Sequence, residues 1–101
     1  MIARMWRGWA RTQDADHYEE HYRREVVPSL QQVAGFRGAR LLRRASSGET
    51  EFVSVTLFDD LDAIRAFAGA DYEVAVVAEQ ARRVLARFDE RVTHYDVSID
   101  V

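Results

Sequence analysis

Residues 36–58 read FRGARLLRRASSGETEFVSVTLF, and this stretch decides the fold. Phe36 to Arg44 and Glu51 to Phe58 are two strand-like runs, and Ala45-Ser46-Ser47-Gly48 between them is rich in turn residues. The pattern predicts a β-hairpin with a loop of about six residues. Upstream, Met1 to Arg11 reads as a strand, with Ile2, Met5, Trp6 and Trp9 supplying bulk. Alternation puts Ile2, Arg4, Trp6 and Gly8 on one of its faces and Ala3, Met5, Arg7 and Trp9 on the other. Neither face is cleanly polar, which suits a strand covered on both sides. Downstream, Val92 to Ile99 closes the chain as a strand, with Tyr95, Val97 and Ile99 alternating against His94, Asp96 and Ser98.

A helical stretch separates each outer strand from the hairpin. In the first, Thr12 or Asp14 can cap, Tyr18, Tyr22 and Val26 form one inward stripe, Pro28 breaks or kinks the helix, and Gly35 stops it. In the second, Asp59 or Asp60 caps a short helix whose face is Leu61, Ile64, Phe67 and Ala68, and Gly69 ends it. A further helical segment, capped by Asp71, is predicted from Val74, Val77, Ala78, Ala81, Leu85 and Phe88. The order is therefore βαββαβ. Right-handed crossovers turn it into a four-stranded antiparallel sheet with both helices on one face. The other face is then bare but apolar, roughly several hundred Å2, which a monomer rarely tolerates. Back-to-back pairing of two sheets in a homodimer is the expected solution.

Composition bounds the function. The 101 residues allow a single domain, 1–101, and 48% hydrophobic residues exclude disorder. No run approaches the ~18 apolar residues of a membrane span. Three arginines (Arg4, Arg7, Arg11) and the lack of an apolar core in the first 13 residues argue against a signal peptide. The chain reads as cytoplasmic. Cysteine is absent, which removes disulfides, thiolate nucleophiles and zinc–sulfur sites. All fourteen basic residues are arginine, so Schiff-base chemistry and lysine-dependent phosphate loops are excluded. The net charge of −3 argues against nucleic acid as partner. Arg37, Arg40, Arg43 and Arg44 crowd one strand, but alternation divides them between its faces. The RNA-recognition motif shares the βαββαβ order. Here, however, Gly48-Glu49-Thr50-Glu51-Phe52-Val53 puts acids where its cation and stacking rings belong.

Ile2-Ala3-Arg4-Met5-Trp6-Arg7-Gly8-Trp9, Gly35-Phe36-Arg37-Gly38, Phe58-Asp59-Asp60-Leu61-Asp62-Ala63-Ile64 and His94-Tyr95-Asp96-Val97 follow one another in the order seen in antibiotic biosynthesis monooxygenase-like proteins. The chain resembles that family over nearly its whole length. The resemblance implies an α+β, ferredoxin-like protomer, a dimeric α+β barrel, and a pocket between the sheet and its helices. The family it implies includes cofactor-independent monooxygenases acting on polycyclic aromatic substrates, haem-degrading enzymes, and many members with no established activity. The haem-degrading branch uses an asparagine on the first strand and a tryptophan and histidine ten residues apart. This chain has no asparagine, and Phe67 and Val77 stand where the other two would be.

Several side chains can carry chemistry. His94, on the last strand, is the candidate base: O2 reacts directly only with an electron-rich anion, and a neutral imidazole can generate one from a phenol or enol. The bland alternative is a histidine satisfied by Asp96 or a backbone carbonyl. Trp6, Trp9 and Phe67 are candidate walls for a flat ligand, against ordinary packing, and Tyr22 is a candidate orienting donor. Tyr18 shares the stripe of Tyr22 and reads as a core-edge ring. His17 and His21 lie one turn apart, but Tyr18 follows the first where a zinc protease needs glutamate, so they read as solvated. No metal site and no cofactor are expected. Two other functions fit the same features: a non-catalytic dimer binding a small hydrophobic molecule, or an isomerase-like enzyme of the same fold.

Overall fold

The computed structural model describes residues 1–101 and contains one antiparallel sheet with helices on one side. Strand β1 (Ile2–Arg11) lies at its centre. Strands β2 (Phe36–Ser46) and β3 (Glu49–Phe58) form the predicted hairpin, and β3 pairs with β1 along its full length, from Ile2 opposite Phe58 to Arg11 opposite Glu49. The hairpin loop is shorter than expected. Ser47 and Gly48 both take positive φ, 47° and 82°, and close a two-residue turn, so pairing extends to Ser46 and Glu49. Such a turn matches the right-handed twist of paired strands, and glycine accepts it without a Cβ penalty.

The far edge of β1 is shared by two short strands. β4 (Arg87–Phe88) pairs with Gly8 and Trp9, and β5 (Thr93–Asp96) pairs with Ile2 through Met5. The expected last strand, 92–99, is thus cut back to Thr93–Asp96, and its missing part is supplied by residues predicted to be helical. The spacing of Val74 to Phe88 was misleading for a physical reason. Val74, Val76 and Val77 are β-branched and poor in helix propensity. Only α4 (Glu79–Val84) is helical there, and residues 69–78 run across the helix side of the sheet as an irregular segment.

The first helical arm does not break at Pro28. α1 (Ala15–His21) leads into a π-helical turn over Tyr22–Val26 and then into α2 (Val27–Gln31). Proline has no N–H and its ring crowds the carbonyl four residues earlier; the wide turn ahead of it relieves both defects, so the helical run is not interrupted. Asp14 makes no cap hydrogen bond and instead binds Arg11, at 3.1 Å. α3 (Leu61–Ala68) is capped as predicted: the Asp60 carboxylate accepts from the backbone N–H of Ala63 at 2.9 Å.

Burial in β3 alternates strictly. Thr50, Phe52, Ser54, Thr56 and Phe58 are buried under the helices, while Val53, Val55 and Leu57 are half-buried on the other face. The core lies in two adjoining clusters on the helix side. One gathers Ala10, Tyr18, Tyr22, Phe52, Ala81 and Leu85; the other gathers Leu30, Phe58, Ala63 and Ile64. The arginines of β2 divide between the faces: Arg43 reaches Asp16 and Glu19 on α1, and Arg44 reaches Glu51 on the open face. Neither forms part of a basic plate.

Candidate active site

Between the two core clusters is a cavity of about 60 Å3, room for roughly two waters. Its floor is the helix face of the sheet, contributed by Arg4, Trp6, Ser54 and Thr56. Tyr18, His21 and Tyr22 close one side from α1 and the turn after it. Phe67, Val76 and Val77 close the other. Two of the residues expected as ligand walls, Trp6 and Phe67, therefore meet in one lining with Tyr22, the expected orienting donor. Trp9 does not join them. It lies on the opposite sheet face, with the guanidinium groups of Arg87 at 4.6 Å and Arg7 at 5.5 Å from its ring.

The position of Trp6 follows from its neighbours. Its indole Nε1–H donates to the carbonyl of Asp89 at 2.9 Å, and its ring lies 6.0 Å from Tyr18 and 6.4 Å from Phe88. The ring passes directly over Gly8, where a Cβ would come within 2.4 Å of it. The Tyr22 hydroxyl is buried and pairs with Ser54 at 2.8 Å. Burial raises its pKa, with the Ser54 hydrogen bond opposing, so it stays protonated as a neutral hydrogen-bonding group.

Arg4 is the unforeseen member of the site. It is 4% exposed, the sole charged residue in the core. Its Nη1 donates to the carbonyl of Tyr72 at 2.5 Å and to His94 at 3.1 Å, and its Nη2 donates to the carbonyl of Val74 at 3.0 Å. Its guanidinium carbon lies 5.8 Å from the centre of the Phe67 ring. Burial pulls its pKa down to about 10, so it remains a cation at neutral pH.

Because arginine has no acceptor, His94 must receive the Arg4 hydrogen bond on an unprotonated Nε2, which fixes the proton on Nδ1. Burial, and then the Arg4 charge, hold the His94 pKa below its ordinary value, against a smaller opposing pull from Glu73. The ring of Tyr72 packs edge-on against it at 5.5 Å. His94 thus stands behind Arg4 rather than in the cavity wall, with its free lone pair engaged.

His21, expected to be solvated, lines the cavity instead. His17 does face solvent, 3.9 Å from Asp14. No group of three or more His, Asp or Glu side chains is placed to hold a metal. Arg4 carried a signal in the sequence, a charge between Ile2 and Trp6 on an otherwise apolar face. His21 carried one too, standing three residues from Tyr18 and next to Tyr22 in the inward stripe.

Structural comparison places this fold among known ones. A crystal structure of an MhuD variant, with two manganese protoporphyrin IX bound per active site, superposes with a TM-score of 0.72 at 21% identity, covering 100% of this chain and 98% of that one. SnoaB, a cofactor-independent oxygenase from Streptomyces nogalater, superposes at 0.67 with 13% identity, covering 99% and 96%. At such identities the likeness establishes the fold alone. A search among curated proteins finds no match. The family model for antibiotic biosynthesis monooxygenase matches residues 1–79, a span that includes β1, the hairpin, α3 and most of the cavity lining. The chain belongs to the antibiotic biosynthesis monooxygenase family.

Proposed function

We propose that this protein is a cofactor-independent monooxygenase acting on a small aromatic or polyketide-like phenol or enol. The observation that supports the reading best is the convergence of Trp6, Tyr22 and Phe67 on one cavity beside an imidazole. Indole and phenyl faces suit a flat ring, and the Tyr22 hydroxyl can orient a ligand oxygen. A ligand of that size needs more than the present volume, so Val76 and Val77 must yield to admit it. In the reaction a base takes the acidic proton, the anion passes an electron to O2, and the peroxide formed on carbon collapses to a ketone. The balance is R2CH2 + O2 → R2CO + H2O, with no other oxidant or reductant. His21 can take the proton from the wall; His94 can take it only where the hydrogen bond between Arg4 and its Nε2 opens.

Oxygen uptake with an anthrone-like phenol in chelator-treated buffer tests this. One O2 should disappear per molecule oxidised. His94→Ala or His21→Ala should lower the rate by about 10²-fold or more, whichever is the base. No uptake above the protein-free rate would refute the oxygenase. The engaged lone pair of His94 favours a second reading, a binding module that uses the same cavity without turnover, and that outcome would select it.

We also infer that the open sheet face is covered by a second copy of the chain. Met5, Val53, Val55 and Leu57 form its centre, with Leu42 and Tyr95 about half exposed beside them. Sedimentation at micromolar concentration should show a dimer, and a lone 11.6 kDa particle would remove the inference.

A further inference from the structure

A buried cation ordinarily has a carboxylate beside it, because taking a charge out of water is costly unless another charge answers it. Arg4 has none. Its three hydrogen-bond partners are two backbone carbonyls and a neutral imidazole, and it forms no ion pair. No aspartate or glutamate lines the cavity, where Arg4 is the one permanent charge. In a chain whose net charge is −3, this is a positive pocket within a negative molecule.

The donor count points the same way. Guanidinium has five N–H bonds, and Arg4 uses three, all on Nη1 and Nη2. Nε makes no hydrogen bond, yet no fully buried polar side-chain atom of the protein lacks a partner. Nε is therefore not sealed in the core, and Arg4 lines the cavity. Tyr72, Val74 and His94 hold the guanidinium plane from behind, so its free edge is fixed before a ligand arrives. Preorganised N–H donors in a water-poor site are what an oxyanion requires.

We propose that Arg4 is an oxyanion-binding residue, and that the cavity takes flat aromatic ligands in their ionised form, with a carboxylate or phenolate oxygen on its free N–H edge. The proposal rests on the cavity being the ligand site and is independent of any turnover. It makes His94 a positioning residue for the guanidinium.

Benzoate and benzamide test it, since they share shape and differ in charge. Calorimetric titration of the wild-type protein should give benzoate an affinity at least about tenfold higher, and Arg4→Gln should bring the two within about twofold. Equal affinities in the wild type, or benzoate binding no tighter than benzamide at any concentration tried, would overturn the proposal whether or not Arg4→Gln folds. 4-Nitrophenol separates the two oxyanions, because its visible band reports its own ionisation. A bound form that is phenolate at a pH where the free form is phenol supports recognition of both. A bound phenol together with tight benzoate supports a carboxylate site. Selective benzoate binding without O2 uptake on an anthrone would keep this inference and discard the oxygenase.

Discussion

Phe52→Ala is expected to lower the unfolding free energy by about 3–5 kcal/mol. Phe52 is fully buried on β3, its ring 4.8 Å from that of Tyr18 and 5.4 Å from the guanidinium of Arg43. It fills the space where α1 and α4 meet the sheet, against Ala10, Tyr22, Ala81 and Leu85. Truncation removes the ring and leaves a hole that a paired β-strand cannot collapse to fill. Domains of this size are stable by about 5–15 kcal/mol, so the variant should be marginal. Its melting temperature should fall by more than about 12 °C, at roughly 4 °C or more per kcal/mol. A chemical-denaturation loss under about 1 kcal/mol would mean that helix and sheet are not packed as described.

Gly8→Ala is expected to cost about 1–3 kcal/mol and to abolish ligand binding in the cavity. Gly8 has ordinary backbone geometry, so the penalty is purely one of space: the new methyl would lie 2.4 Å from one Trp6 ring carbon and 2.9 Å from another. The indole is rigid, tied to the Asp89 carbonyl, and wedged between Tyr18 and Phe88, so it cannot yield by a small shift. It must rotate into the cavity or leave its hydrogen bond. Denaturant titration and near-ultraviolet circular dichroism of the tryptophans would show the change, and a variant indistinguishable from the wild type would contradict the assigned position of Trp6.

These two residues also show what was legible in the sequence and what was not. Strand β1, the hairpin and α3 carry local signals: alternation, a turn-rich linker, and Asp60 ahead of an apolar face. Each formed where expected because the residues that mark it lie within the element itself or beside it. Residues 69–88 misled, because spacing alone cannot distinguish a helix from an extended segment draped over a sheet, and β-branching at Val74, Val76 and Val77 was the overriding feature. Pro28 does not end its helix, since a π-helical turn absorbs its missing donor.

The site divides along the same line. Counting faces alone places Trp6 and Trp9 on opposite sides of the sheet, and Tyr22 and Phe67 on inward helix faces. What Arg4 does was not readable. Its partners Tyr72, Val74 and His94 lie 68 to 90 residues away, and two of the three bonds go to backbone carbonyls that have no sequence signature. An arginine in an alternating strand reads as an edge charge until a distant segment folds over it.

A crystal structure of the protein with a bound aromatic phenol or carboxylate tests the account most directly. The ring should lie between Trp6, Tyr22 and Phe67, with Val76 and Val77 displaced and a ligand oxygen on Arg4. A ring bound instead on the open sheet face beside Trp9, with the inner cavity unchanged, would contradict it.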